Sequence, residues 1–252
     1  MEPARRLTVI SCALALVTVA CAGPEESAAR PPRNPAPVST PYEPRIYRAD
    51  FVGEIDNPYL PLPVGRTLVY EGVSDGQRER IEVTVTDRTR EVMGVTTIVV
   101  RDRAFVEGAL VEDTFDWFAQ DRWGNVWYFG EETAEYEDGE VVSRAGSWEA
   151  GVHGAHPGVV MLADPRVGDR YRQEFYEGEA EDMARVRATG DSIAVPAGSF
   201  QDVLVTEDWT PLEPDVLEHK IYAPEVGVVL ERVIEGGSGV LRLVEIRDAA
   251  AG

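Results

Sequence analysis

The sequence predicts an all-β protein, and three observations lead to this fold class. Apolar and polar residues alternate with a period of two in segments such as Arg80–Thr86, and Thr96–Val100 is β-branched throughout. No convincing amphipathic helix is found, because the best candidate, Glu177–Ala184, is short and contains a glycine. Turn signals recur between the strand-like segments, at Asp75-Gly76, Glu107-Gly108, Trp123-Gly124-Asn125, Asp138-Gly139 and Glu225-Val226-Gly227. We therefore predict an antiparallel meander of about ten to twelve strands.

The amino terminus, residues 1–20, has the pattern of a secretion signal. Arg5 and Arg6 form a positive region, and an apolar stretch with small residues leads to Cys21. Residues 17–21 resemble the lipobox of bacterial lipoproteins, in which this cysteine carries the lipid, although Thr18 replaces the usual leucine. Cys12 fits the local pattern better but would leave only about five apolar residues before cleavage. We predict lipidation at Cys21, with a plain secretory signal as the alternative.

Residues 21–50 are predicted to be a tether that begins at the lipidated cysteine. This segment is rich in proline, alanine, serine and arginine and has no apolar run that could pack into a core. Proline-rich chain is extended at about 3.1 Å per residue and could span roughly 90 Å. We expect the protein to be anchored through lipid to the cell membrane, on its extracytoplasmic side.

Composition excludes several classes of function. The 252 residues include 45 acidic and 24 basic side chains, for a net charge of −21, so we expect no nucleic-acid partner and a soluble, monomeric domain. Both cysteines lie at or before residue 21, which excludes disulfide frameworks and cysteine-rich metal sites. Lys220 is the only lysine.

An internal duplication is predicted within the single β-rich domain at 51–248, with halves of about 57–150 and 160–247. Three pairs of segments match in the same order along the chain: Pro63–Tyr70 with Arg166–Tyr171, Ile81–Arg103 with Ala184–Asp208, and Phe118–Trp127 with Tyr222–Leu230. Each half would supply about five strands. Because one five-stranded sheet leaves bare edges and an unburied face, we expect the halves to close as one barrel or one two-layer sandwich.

Three segments of the sequence resemble segments of a mostly uncharacterised family of bacterial secreted and lipoprotein β-rich domains. They are Asn57–Gly72, Val195–Asp208 and His219–Glu231. The resemblance implies a β-rich fold over about 57–246. It implies no reaction, because the shared segments are turns and strand openings.

Aromatic residues give the best indication of a ligand site. Several lie close together in the sequence, and on paired strands alternate ones would share a face, where they could pack in a core or offer a stacking surface to a sugar or lipid. The candidate ligand-binding residues are Trp117, Trp123, Trp127, Tyr128, Trp148 and Trp209.

Three histidines and several carboxylates are candidates for chemistry. His153 and His156 in a glycine-rich loop, together with His219, could hold a divalent metal, although their spacing matches no zinc motif. Asp113 and Asp116 could flank a sugar as a carboxylate pair, as could Glu213 and Asp215. The two acidic segments, at 131–140 and 177–182, are interpreted as solvated surface. No cofactor and no catalytic residue are predicted.

Two hypotheses for function follow. The first is a membrane-anchored exported lipoprotein that binds a lipid, a glycan or another component of the cell envelope without catalysis. The second is a hydrolase that depends on a metal or a carboxylate pair and uses the His153/His156 loop.

Overall fold

About two thirds of the residues from 51 to 249 are β-strand in the computed structural model, which describes residues 41–249. A single 3-10 turn, Arg48–Asp50, precedes sixteen strands within these residues. The strands are β1 (Phe51–Val52), β2 (Thr67–Ser74), β3 (Gln77–Val92), β4 (Val95–Val106), β5 (Ala109–Asp121), β6 (Val126–Glu137), β7 (Glu140–Ser143), β8 (Trp148–Glu149), β9 (His156–Met161), β10 (Arg170–Arg172), β11 (Glu174–Phe175), β12 (Met183–Val195), β13 (Gly198–Trp209), β14 (Leu217–Ala223), β15 (Gly227–Glu235) and β16 (Gly239–Arg247). The predicted all-β fold is confirmed.

The strands form one antiparallel sheet that curls into a nearly closed barrel. Its order is β10-β12-β13-β14-β15-β16-β2-β3-β4-β5-β6-β9-β11, with β1 paired to β5 and both β7 and β8 paired to β6. The first and last strands of this order are consecutive in the chain and are separated only by Gln173. The segment 170–175 therefore joins the two ends of the sheet, so the architecture is the barrel rather than the sandwich.

The amino-terminal part of the described chain covers one outer face of this barrel. Phe51 contacts Phe129 at 5.5 Å and Trp127 at 6.3 Å between ring centroids, in edge-on geometry. Asn57 is 1% exposed and donates from Nδ2 to the carbonyl oxygens of Gly124 (2.8 Å) and Leu162 (3.0 Å). These bonds satisfy buried backbone acceptors and fix the covering segment to the sheet.

Residues 41–50, which the sequence analysis assigned to the end of the tether, contact the barrel. The Tyr42 hydroxyl donates to the Pro157 carbonyl oxygen at 2.9 Å, and its ring lies edge-on to Phe175 at 5.9 Å. Cys21 and the rest of the predicted signal and tether lie outside the described residues. Among residues 41–249, no helix has the length and apolarity needed to cross a membrane.

Each pair of matched segments from the two halves forms comparable elements. Residues 81–103 lie in the β3–β4 hairpin and residues 184–208 in the β12–β13 hairpin, while 118–127 and 222–230 each connect two paired strands through a turn. Common ancestry of the halves stays a prediction.

Candidate functional site

A cavity of about 330 Å³ lies beside β6, where the short strand β8 pairs with it. We call it the Trp148 cavity. Its lining consists of three aromatic side chains, Trp117, Trp148 and Tyr176, together with Arg90, Glu131, Glu132, Ser147, Glu149, Val152 and His153. Aromatic surface and charged groups therefore converge on one concave region, as they do in binding sites for polar organic ligands.

Gly130 brings β8 into position against β6. It pairs with Glu149, and its neighbour Glu131 pairs with Trp148. Gly130 has a φ of +126°, and a Cβ atom here would lie only 2.2 Å from the carbonyl oxygen of Trp148. Glycine is required for this close approach. As a result, the Trp148 ring is held edge-on to Tyr128, with 5.4 Å between the centroids.

Arg90 forms a fixed wall of the cavity. Its guanidinium carbon lies 3.9 Å from the centroid of the Trp117 ring, and its Nη2 donates to Glu149 Oε2 at 2.5 Å. Stacking and pairing together restrain a side chain that would otherwise be flexible. The wall therefore presents a cation and a carboxylate in a defined arrangement.

Glu131 connects this cavity to a buried hydrogen-bonded group inside the barrel. The Tyr128 hydroxyl oxygen lies 2.7 Å from Asp116 Oδ1 and 2.9 Å from Glu131 Oε2. A phenol donates only one proton, so both contacts are hydrogen bonds only when one carboxyl group is itself protonated. Burial raises the pKa of Asp116 to about 7 and that of Glu131 well above its usual range. At neutral pH this group therefore retains a proton.

The barrel interior contains many further carboxyl groups. Burial raises the pKa of Asp102 on β4 well above its usual range, and repulsion from Asp116, Glu112, Glu231 and Glu79 adds to this. Glu231 lies on β15, which three strands of the sheet separate from β4. Asp102 and Glu231 are thus far apart around the sheet, and their repulsion indicates that both side chains point into the same interior. The interior set is Glu79, Asp102, Glu112, Asp116, Glu131, Glu174, Asp182, Asp208, Glu218 and Glu231.

The only lysine of the sequence lies among these carboxyl groups. Lys220 on β14 pairs in register with Thr206 and Glu231. Its Nζ lies 3.8 Å from Glu231 Oε2 and 3.9 Å from Asp208 Oδ2. Attraction to Glu231 raises the pKa of Lys220 well above its usual range, so the ammonium group is charged at all physiological pH values.

The six predicted aromatic residues are distributed over several environments. Trp117 and Trp148 both line the Trp148 cavity, and Tyr128 contacts Trp148 from the interior. Trp127 is buried and donates from Nε1 to Asp121 Oδ2 at 2.9 Å. The other two lie elsewhere: Trp123 lies under the guanidinium of Arg122, and Trp209 lines a second cavity of about 310 Å³.

The three predicted metal ligands do not converge. His153 is exposed at the Trp148 cavity, and His156 stacks on Phe175 with centroids 6.0 Å apart. His219 faces Glu207 and Arg232, with Nε2 3.9 Å from Glu207 Oε2. Within residues 41–249, no three histidine, cysteine, aspartate or glutamate side chains are grouped so that they could hold a metal ion.

The proposed carboxylate pair at 113 and 116 is divided between two environments. Asp113 accepts two hydrogen bonds from Arg101, at 2.7 and 2.6 Å, whereas Asp116 belongs to the interior group with Tyr128. Sequence reasoning did not identify Glu131, Tyr176 or Lys220 as functional residues. The sequence did contain a signal for Lys220. It is the only lysine, and on a strand it shares one face with Glu218 and Tyr222, which lie two residues away on either side.

Comparison with known proteins gives two similar solved structures. An exported protein with a YmcC-like fold from Bacteroides fragilis has a TM-score of 0.46 and 15% identity, over 76% of this chain and 100% of that chain. A lipoprotein from Parabacteroides distasonis has a TM-score of 0.42 and 12% identity, over 76% of this chain and 99% of that chain. No protein-family model and no curated protein matches the sequence. Similarity at this level assigns neither a family nor an activity.

Proposed function

We propose that this protein is an exported lipoprotein, anchored to the membrane through Cys21, that binds a glycan in the Trp148 cavity without catalysis. The observation that carries the proposal is the meeting of Trp117, Trp148 and Tyr176 with one basic and three acidic side chains in one cavity. Export and anchoring are supported by the signal sequence and the lipobox-like residues before Cys21.

The chemistry of the cavity suits a sugar. Aromatic rings pack against the C–H faces of pyranose rings, and carboxylates accept strong hydrogen bonds from hydroxyl groups. Glu132 and Glu149 supply such acceptors, Glu131 adds a carboxyl group whose pKa burial raises, and Arg90 supplies donors. A cavity of about 330 Å³ has the volume for one or two sugar residues.

A lipid chain suits the barrel less well than a glycan suits the cavity. The interior is lined by ten carboxyl groups together with Lys220, and an acyl chain placed there would remove these groups from water without offering hydrogen bonds. We therefore favour a polar ligand over lipid carriage.

A glycan array probed with the full-length protein in detergent tests this proposal. We expect selective binding to a subset of glycans, and calorimetry with the best one should show a loss of about tenfold or more in Tyr176→Ala and Glu132→Gln. Tyr176 is half-buried and Glu132 is exposed, so neither change should prevent folding.

The matched control is Trp209→Ala, because this tryptophan lines the other cavity. Its glycan affinity should equal that of the wild type. Absence of binding to every glycan on the array would refute the proposal, as would an equal loss of affinity in Trp209→Ala.

A further inference from the structure

The region around Lys220 contains buried polar atoms that lack partners. Tyr171 is 4% exposed, and its hydroxyl makes no hydrogen bond within the described part of the chain. It faces Asp208, Lys220 and Tyr222. Asp208 is 5% exposed, and Gln173 Nε2 donates to its Oδ2 at 3.3 Å, while its Oδ1 has no hydrogen-bond partner among residues 41–249. A buried polar atom without a partner costs free energy, which a bound ligand would recover.

The position of Tyr171 places this hydroxyl beside the acidic groups. Tyr171 on β10 pairs with Ala184 on β12, which pairs with Asp208 on β13. The three residues thus form one row across neighbouring strands and present their side chains to the same face. Glu218 pairs with Asp208 in the next strand and continues the row.

The partnerless atoms identify the kind of ligand. A carboxylate oxygen only accepts hydrogen bonds and a phenolic oxygen can also accept one, so a single donor would serve both atoms. Once they ionise at mildly alkaline pH, the surrounding carboxyl groups outnumber the single ammonium group of Lys220, so a cation is then favoured. Within residues 41–249 no three metal-ligating side chains are grouped to hold a metal ion, and an organic ammonium group, unlike a metal ion, brings several N–H donors, so an organic cation is favoured.

Lys220 itself shows how an alkylammonium group is accommodated here. Its Nζ lies between Glu231 and Asp208 at 3.8 and 3.9 Å, longer than direct hydrogen bonds. The side chain keeps 29% of its surface accessible, and that of Glu231 keeps 32%. The Lys220 and Glu231 side chains are therefore partly open to solvent, and Tyr171 and Tyr222 are among the neighbouring groups.

Asp208 lies near one end of the barrel, because it pairs with Glu218, and Glu218 pairs with Val233, which is closer to the β15–β16 turn than Glu231 is. Glu79 and Glu231 lie close to the β2–β3 and β15–β16 turns, which are at the same end of the barrel. Both belong to the set of carboxyl groups that faces the interior. A linear cation entering at this end would meet Asp208 and Glu218 first and would extend from there towards Glu231 and Glu79.

We propose that the barrel interior around Asp208, Glu231 and Tyr171 is a binding site for a linear polyamine. Two or more ammonium groups separated by methylene chains would pair with carboxylates along the interior, and one would donate to Tyr171 Oη and Asp208 Oδ1. This site is separate from the Trp148 cavity and does not depend on glycan binding.

Isothermal titration calorimetry of the full-length protein in detergent with spermidine, at pH 8 and 0.15 M NaCl, tests the proposal. We expect saturable binding, with an affinity about tenfold lower in Asp208→Asn and about threefold lower in Tyr171→Phe. Tyr171→Phe removes only an oxygen that has no partner, so it keeps the fold intact and still tests the site.

The matched control is Glu245→Gln on the outer face, where the side chain is 49% exposed and paired with Arg247. Its spermidine affinity should equal that of the wild type, and triethylene glycol, an uncharged chain of similar length, should not bind. The proposal is refuted if spermidine does not bind, if Glu245→Gln weakens binding as much as Asp208→Asn, or if equimolar Mg²⁺ displaces spermidine from the wild type.

Discussion

Lys220 illustrates how one residue can control the charge balance of a whole interior. It is the only lysine of the chain, and Asp208, Glu218 and Glu231 all contribute to its raised pKa. These carboxyl groups also repel one another. Burial raises the pKa of Glu218 to about 8, and repulsion from Glu231 contributes next. Removal of the ammonium group therefore leaves negative charges that face each other without compensation.

We expect Lys220→Met to lower the free energy of unfolding by about 1–3 kcal/mol at pH 8, since both ion pairs are long and partly accessible. At pH 5 the loss should be smaller, because Glu218 and Asp182, whose pKa values burial raises to about 8 and about 7, are then protonated. Urea unfolding at the two pH values measures the difference.

The control for this substitution is Arg78→Met, which removes an ion pair with Glu107 at the surface, where the side chains are 80% and 46% exposed. It should change stability by less than about 0.5 kcal/mol at either pH. An equal effect of Lys220→Met at pH 5 and pH 8 would contradict the electrostatic explanation.

At the scale of elements, closure of the sheet depends on glycines where backbones approach closely. Gly72 on β2 pairs with Leu241 on β16, so this contact joins the carboxyl-terminal strand to the first long strand. A Cβ atom on Gly72 would lie 1.8 Å from the carbonyl oxygen of Val240. The backbone, and not a flexible side chain, would have to move.

Gly72→Ala should therefore destabilise the protein by about 3 kcal/mol and weaken the β2–β16 pairing in particular. Thermal unfolding gives the total loss, and amide hydrogen exchange of β16 locates it. Gly53→Ala is the control, because nothing lies within 4 Å of an added Cβ there. A wild-type melting temperature for Gly72→Ala would show that the two strands can separate without cost.

The strands themselves were predictable, but which face of each strand is interior was not. On β4, Arg101 and Arg103 alternate with Asp102, so charged residues occupy both faces. A period of two usually places polar groups in solvent. Here Asp102 faces the interior, and Arg101 pairs with Asp113 on the outside. Alternation therefore predicted the strand and could not predict the carboxylate-lined interior.

The candidate site was predictable only in part, for a similar reason. The aromatic cluster indicated Trp117 and Trp148, which the structure brings to one cavity. Their meeting depends on β8 returning to pair with β6 at Gly130, a non-local contact that the sequence pattern does not encode. Tyr171 and Asp208 lie on different strands and come close only through the pairing of β10 with β12 and of β12 with β13.

At the scale of the whole molecule, the buried carboxyl groups make stability depend on pH. Burial raises the pKa values of Asp116 and Asp182 to about 7 and that of Glu218 to about 8, whereas in an unfolded chain they lie near 4. Between about pH 4 and pH 8 the folded protein therefore holds protons that the unfolded chain has released. Raising the pH through this range favours unfolding.

We expect the melting temperature to fall by at least about 5 °C between pH 5 and pH 8.5. Differential scanning calorimetry at constant ionic strength measures it. Glu218→Gln should make the fall smaller and raise the melting temperature at pH 8.5, because an uncharged amide replaces an ionised buried carboxylate. A melting temperature that rises over this range would contradict the proposed protonation of the interior.

The segment 170–175 also determines how the molecule responds to mechanical load. Its first half is hydrogen-bonded to β12 and its second half to β9, so one short stretch of chain holds both margins of the sheet. Tyr42 is fastened beside it, through the Pro157 carbonyl and the Phe175 ring. A force applied to the chain that precedes Tyr42 therefore acts first on segment 170–175. The barrel would open where this segment joins β12 and β9, while the remaining strands keep their partners.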